Sequence, residues 1–227
     1  MAVHMCARFV TKPNRIHQDA AKHICRYLHY TRKRGLILKP NSDNRLNAYG
    51  DSDFAGQWTR DTCQLRDSAV SWTGYVILYC GCPIHWVSKL QTEIALSTTE
   101  AEYMALSTCL RDLLPMRTLL LELSKGFNFA GISDLQLLGD QSRVETRLHQ
   151  STIYEDNTGC LELANKPDQF RPRTKHIGIK WHHFRDAVKN GSVVVEKIDT
   201  NLQLADPLTK PLTQHKFELL RKLLMGW

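Results

Sequence analysis

With 227 residues, 42% of them hydrophobic and 23% charged, the chain is long enough for one domain with a sizeable core and reads as globular rather than fibrous or disordered. It has no apolar run of roughly 18 residues, so neither a transmembrane helix nor a membrane partner is expected, and Met1 to Arg8 lack the apolar stretch of a signal peptide. A net charge of +7 favours contact with a polyanion, most simply nucleic acid, and the seven cysteines are expected as reduced thiols of the cytosol or nucleus.

Residues 1–39 read as a helical lead-in, because Ile16, Ala20, Ala21, Ile24, Cys25, Tyr27 and Leu28 recur at helical spacing between basic residues. Its end, Arg26 to Gly35, interleaves cations with aromatic rings, which suits a phosphate backbone and a solvated helix terminus equally. Leu46 to Phe54 reads as a strand and 55–71 as a polar loop. Trp72 to Cys80 and Ile84 to Ser88 read as two more strands around a tight turn at Gly81-Cys82-Pro83, which makes an antiparallel meander. From Thr98 to about Lys125 the period is helical, and Pro115 predicts a kink or two consecutive helices. Residues 126–150 predict a surface insertion. A strand at Ser151 to Asp156, helices at Asn157 to Ala164 and Lys175 to Lys189, a strand at Val193 to Ile198 and a helix over Gln203 to Met225 complete the chain, with Pro207 and Pro211 near the start of the last helix. Strand–helix alternation after a meander predicts an α/β fold with a mixed sheet.

The densest signal is Ala95 to Leu106. Ser97 and Glu100 have the spacing of a capping box, and Thr99 with Glu102 repeats it. Glu102, in the first turn of the predicted helix, then falls among Ala101, Ala105 and Leu106, where a carboxylate must be paired, protonated or bound to a metal. Asp51 on the first strand, Asp156 at the end of a later strand and Asp206 at the start of the last helix are comparable acids on separate elements. Brought together they would repel, and hard divalent cations such as Mg²⁺ resolve that repulsion. Asp53 shares a strand face with Asp51, and Glu155 points opposite to Asp156, so one acid of each pair is expected to ligate. Asn157 is placed either to hydrogen-bond a substrate or to cap the next helix. Lys175 and His176 begin a helix that either touches a nucleic-acid backbone or packs on the sheet. Cys80-x-Cys82 and His182-His183 lack the matching ligands of a zinc site.

Seven motifs, in order, resemble the ribonuclease H domain of copia-type (Pseudoviridae) retrotransposon polyproteins. They are Tyr49 to Gly56, Thr73 to Val76, Pro83 to Gln91, Ala95 to Leu106, Tyr154 to Asn157, Arg173 to Ile177 and Gln203 to Lys210. The lead-in, through Ala7-Arg8-Phe9 and His17 to Leu28, resembles the segment joining reverse transcriptase to ribonuclease H. The resemblance implies a helical connection segment over 1–40 and a ribonuclease H domain over 41–227 with its insertion near 126–150. It also implies a ribonuclease H-like five-stranded mixed sheet, antiparallel meander plus parallel strands, flanked by helices. The implied activity is hydrolysis of the RNA strand of RNA–DNA hybrids with two Mg²⁺ ions, Mn²⁺ substituting. Asp51 would bridge both ions, Glu102 and Asp156 would hold the one that stabilises the leaving oxygen, and Asp206 would help hold the one that activates water. Asp51 and not Asp53, and Glu102 and not Glu100, match the pattern. The implied partners are the hybrid and the polymerase domain of the same polyprotein, whose acidic motif the chain lacks. The implied setting is a cytoplasmic retrotransposon particle or the nucleus. Pro207 stands where the pattern has an apolar residue, and Trp72, residues 57–71 and residues 126–150 diverge as well. These departures leave a second expectation, a catalytically degenerate nucleic-acid-binding remnant.

Overall fold

A five-stranded sheet of order β3-β2-β1-β4-β5 organises the chain. A computed structural model describes residues 1–43, 45–64, 66–126, 150–165 and 182–227. Strand β1 (Leu46–Asp53) is central, antiparallel to β2 (Trp72–Tyr79) and parallel to β4 (Ser151–Glu155). Strand β3 (Cys82–Leu90) pairs antiparallel with β2, and β5 (Val193–Lys197) pairs parallel with β4. This is the mixed sheet predicted, a meander followed by parallel strands. The hairpin turn lies one residue earlier than expected. Cys80 and Gly81 form it, both at positive φ (51° and 75°), and Cys82 already pairs with Tyr79. Two consecutive positive-φ residues give the turn twist that matches two antiparallel strands.

Helices α1 (Ala2–Ala7) and α2 (Arg15–Thr31) make up the lead-in. Asn14 caps α2 by accepting from the His17 backbone N–H at 3.1 Å, while His17 Nδ1 accepts from Asn14 N–H. Neither helix buries a residue completely. The lead-in is tied to the rest through Tyr27 on Phe217 (6.2 Å between ring centroids), Ile37 N–H to Met225 O (3.1 Å) and Trp227 Nε1–H to Gly35 O (2.7 Å). The guanidinium groups of Arg34 and Arg221 lie 4.8 and 4.3 Å from the Trp227 ring, within cation–π range.

One face of the sheet is covered by α3 (Thr98–Gly126), α4 (Thr158–Asn165) and α5 (His182–Lys189). Tyr103, Leu106, Leu110 and Leu113 of α3 pack with Ala48, Ile77 and Ile153 of the strands and with Phe184 of α5. Helix α3 runs unbroken through Pro115, against expectation. Pro115 lies on the exposed side of α3, while Leu110 and Leu113, fully buried, hold the helix on the sheet across the one backbone N–H that proline lacks. The predicted final helix is instead divided. After a 3₁₀ turn at Thr200–Leu202 come α6 (Asp206–Thr209) and α7 (Gln214–Met225), separated around Pro211. They cover the second face, where Leu204 and Leu220 pack on Val76 and Leu78. Pro207 lies in the first turn of α6, where no helical bond needs its missing N–H. The expected insertion at 126–150 lies, but for its end residues, outside the described residues.

Candidate active site

Strand β1 carries Asp51 beside the carboxyl end of its parallel neighbour β4, the place where open α/β sheets gather their sites. Asp51 is 1% exposed. Its Oδ2 accepts a hydrogen bond from the Thr209 hydroxyl, and its Oδ1 lies 3.2 Å from Lys210 Nζ. Asp206 opens α6 fully buried, with Oδ1 2.7 Å from Lys210 Nζ and Oδ2 in contact with Lys216 Nζ. Lys210 therefore bridges the two aspartates.

Glu102 approaches from α3. The helix begins at Thr98, so Glu102 opens the second turn and not the first. Ser97 Oγ accepts from the Glu100 backbone N–H at 3.1 Å, and Glu100 Oε2 accepts from Leu96 N–H at 2.8 Å. Glu100 thus caps the helix as expected, reaching one residue beyond the usual capping-box partner. Glu102 is left buried, with no hydrogen-bond partner for Oε2 among the described residues.

On β4 the chain departs from the simplest expectation. The strand ends at Glu155, which is completely buried, while Asp156 just beyond it is half-buried. Glu155 Oε1 accepts from Asn157 N–H at 2.8 Å, and its Oε2 has no hydrogen-bond partner among the described residues. Glu155 is a site residue that the motif pattern passed over. The signal lay in strand alternation, which puts Glu155 on the same face as core residue Ile153. Asn157 accepts from Cys160 N–H at 3.0 Å and caps α4. Lys175 and His176 lie outside the described residues.

The acids feel one another. Burial, then the charges of Asp206 and Asp156, push Asp51 up to about 7 against the pull of Lys210 and Thr209. Burial, then Glu155, Asp51 and Asp156, raise Glu102 well above the usual carboxylate range. Burial with Asp156 and Asp51 does the same to Glu155, despite its backbone hydrogen bonds. Asp51 and Asp206 have lysines in contact, whereas Glu102 and Glu155 each have a desolvated oxygen with no hydrogen-bond partner among the described residues. Among the described residues no three His, Cys, Asp or Glu side chains already converge as a finished metal cluster. The donor chemistry nevertheless fits a hard divalent cation, which takes oxygen ligands and relieves stacked negative charge.

Gln203, another residue not singled out from the sequence, fixes the approach of α6. It is fully buried, donates from Nε2 to Gly50 O at 2.9 Å and accepts from Ala205 N–H at 3.3 Å. The turn before Asp206 is thereby bonded to the residue before Asp51. Gly74 on β2 has no side chain to hold α6 away. Ser88 of β3 donates to Leu208 O at 2.6 Å and holds the same short helix from the other side.

The strand order, with helices on both faces and acids on β1, α3, the end of β4 and α6, defines a ribonuclease H-like fold. No protein-family model matches the chain. The chain is 35% identical over 224 residues to the retrovirus-related Pol polyprotein from transposon TNT 1-94 of Nicotiana tabacum, an alignment covering 98% of this chain and 14% of that protein. It is 35% identical over 217 residues to the Pol polyprotein from transposon RE2 of Arabidopsis thaliana, covering 96% and 13%. The chain belongs to the family of retrotransposon Pol polyproteins and spans about one seventh of their length. A solved structure of LC11-RNase H1, isolated from compost by a metagenomic approach, superposes with a TM-score of 0.44 at 19% identity, over 73% of this chain and 93% of that one. No helix among the described residues is long and apolar enough to cross a membrane.

Proposed function

We propose that the chain is the ribonuclease H domain of a retrotransposon polyprotein and hydrolyses the RNA strand of RNA–DNA hybrids. The observation that carries this reading is the buried carboxylate group of Asp51, Glu102, Glu155 and Asp206, of which Glu102 and Glu155 each have an oxygen with neither a hydrogen bond nor an ion pair among the described residues. So much desolvated negative charge on four separate elements weakens a fold unless it serves a cation. Asp51, Glu102, Asp156 and Asp206 are the proposed holders of two Mg²⁺ ions, with Mn²⁺ as substitute. Bound there, such ions activate water and stabilise the leaving oxygen of an in-line phosphoryl displacement.

The chain's own residues do the positioning. Thr209 and Gln203 hold Asp51 and the α6 turn together. The Ser97–Glu100 cap fixes the start of α3, and so the height of Glu102 over the sheet. Glu155 orders the turn that carries Asp156 and Asn157 by accepting from Asn157 N–H. Basic side chains, in excess by seven over the chain, neutralise the sugar–phosphate backbone, and the 2′-hydroxyl marks the RNA strand. Residues 1–40 are the proposed link to the polymerase domain of the same polyprotein, which acts in a cytoplasmic particle or the nucleus.

Incubating the purified chain with an end-labelled RNA–DNA hybrid and Mg²⁺ tests the reading. Internal cuts in the RNA strand alone are expected, and they should be abolished by EDTA and by Asp51→Asn. A folded chain that binds the hybrid without cutting it in Mg²⁺ or Mn²⁺ would instead be the degenerate nucleic-acid-binding remnant.

A further inference from the structure

The carboxylates are not treated alike. Asp51 and Asp206 share one ammonium, Lys210 Nζ, at 3.2 and 2.7 Å, and Lys216 contacts the other oxygen of Asp206. Glu102 Oε2 and Glu155 Oε2, also buried, have no hydrogen-bond partner among the described residues, and Lys210 acts on Glu102 only through its charge, more weakly than the neighbouring acids do. Lys210 reaches its place because it stands four residues after Asp206. The extended backbone at Lys210 (ψ 155°) ends α6 there, and the side chain returns over that single turn to the acid that opened it. The aspartates are 1% and 0% exposed, but the Lys210 side chain is 31% exposed. Its flexible four-carbon stem therefore has a path to water that the acids lack.

We infer that Lys210 is a tethered counter-cation, occupying the Asp51–Asp206 arm of the site until a divalent ion displaces its ammonium into solvent. The inference rests on the metal-dependent reading above and deepens it. An ion entering on the Glu102–Glu155 side has no ammonium contact to break among the described residues, whereas an ion held between Asp51 and Asp206 must first break the two ion-pair contacts of Lys210. The two ions then bind in order, the first tighter than the second. The arrangement also explains how the fold tolerates the Asp51–Asp206 pair before any ion arrives, since the lysine supplies the missing positive charge from within the chain.

Mn²⁺ titration of the full chain at pH 8, with free Mn²⁺ read by electron paramagnetic resonance, tests this without any turnover. Wild type should show two classes of site, and Lys210→Met should tighten the weaker class by about tenfold or more, the scale of one lost charge-assisted contact. An unchanged or weakened second class in a folded Lys210→Met chain overturns the inference and leaves the metal-dependent reading intact. No Mn²⁺ bound by folded wild type, or binding indifferent to Asp51→Asn, overturns both. A second measurement needs no variant. Acetic anhydride labelling of wild-type Lys210, followed by peptide mass spectrometry, should rise several-fold when Mg²⁺ is added, and labelling that stays level or falls would count equally against displacement.

Discussion

Gly74→Ala tests whether the short helix α6 lies as close to the sheet as the site requires. A Cβ at residue 74 would come 2.6 Å from Thr209 Cγ2, 2.8 Å from Leu208 Cβ and 3.2 Å from the Ala205 carbonyl oxygen. Leu208 Cβ and the Ala205 carbonyl are fixed by the backbone, so no rotamer change relieves the clash and the helix itself must lift. Taken alone, alanine for glycine inside a strand stabilises by about 0.5–1 kcal/mol. Overpacking of a tight contact works the other way by about 1–3 kcal/mol. The lift also loosens the Thr209–Asp51 hydrogen bond, of a charge-assisted kind that contributes about 1.5–3 kcal/mol when whole. The second and third effects together exceed the first, so a net loss of about 1–3 kcal/mol is expected, or a fall in Tm of roughly 2–12 °C for a chain of this size. Urea denaturation followed by circular dichroism measures the loss, and the hybrid assay should show impaired cleavage alongside it. Unchanged or increased stability would refute the close approach, because the intrinsic preference for alanine would then have won.

Two further predictions concern the buried charges. In EDTA, wild type should lose stability as pH rises from about 4 to 7. Asp51 in the fold is pushed up from 3.8 to about 7, so across that window the unfolded chain holds fewer protons and stability falls with pH. The Asp51 contribution, isolated as wild type minus Asp51→Asn in denaturation at pH 4.5 and 7.5, should reach at most about 4 kcal/mol, and a difference of opposite sign would defeat the assignment. Glu102→Gln should abolish cleavage and yet raise the Tm of the metal-free chain at pH 8, because a desolvated charge beside Glu155 is removed. A lower Tm in scanning calorimetry would show that Glu102 is already compensated within the protein.

What the sequence disclosed follows from the reach of local signals. The strands β1 to β5 were legible to within about two residues, since alternation and β-forming residues act over a single strand. The Ser97–Glu100 cap was legible because it is closed by neighbours three residues apart. Pro115 misled, since a proline's consequence depends on whether packing on either side of it holds the helix straight, and that is a property of the folded chain. Pro207 and Pro211 look alike in sequence, but one begins α6 and the other separates α6 from α7. At the site, Glu102 was legible as an acid in apolar company, and Asp51 and Asp206 through their places on a strand and at a helix start and the motifs around them. Glu155 was set aside in favour of its neighbour, because the motif records identity and not which face of β4 each acid occupies. The roles of Gln203, Lys210 and Lys216 were invisible for a different reason. Each is defined by partners far along the chain, such as Gly50, 153 residues from Gln203, and Asp51, 159 residues from Lys210.

Those separations bear on when the acidic constellation comes into being. Contacts that close loops of some 150 residues form late, after local helices and hairpins are in place. During synthesis the sheet centre and α3 emerge well before Asp206, Thr209 and Lys210, the segment that completes the constellation. A ribosome stalled anywhere short of α6, or a genomic copy truncated there, yields a polypeptide with three of the acids and none of the residues that bind Asp51 to the fourth. Under the proposed function such products are inert, and cleavage becomes possible only once α6 has been translated and has docked on β1.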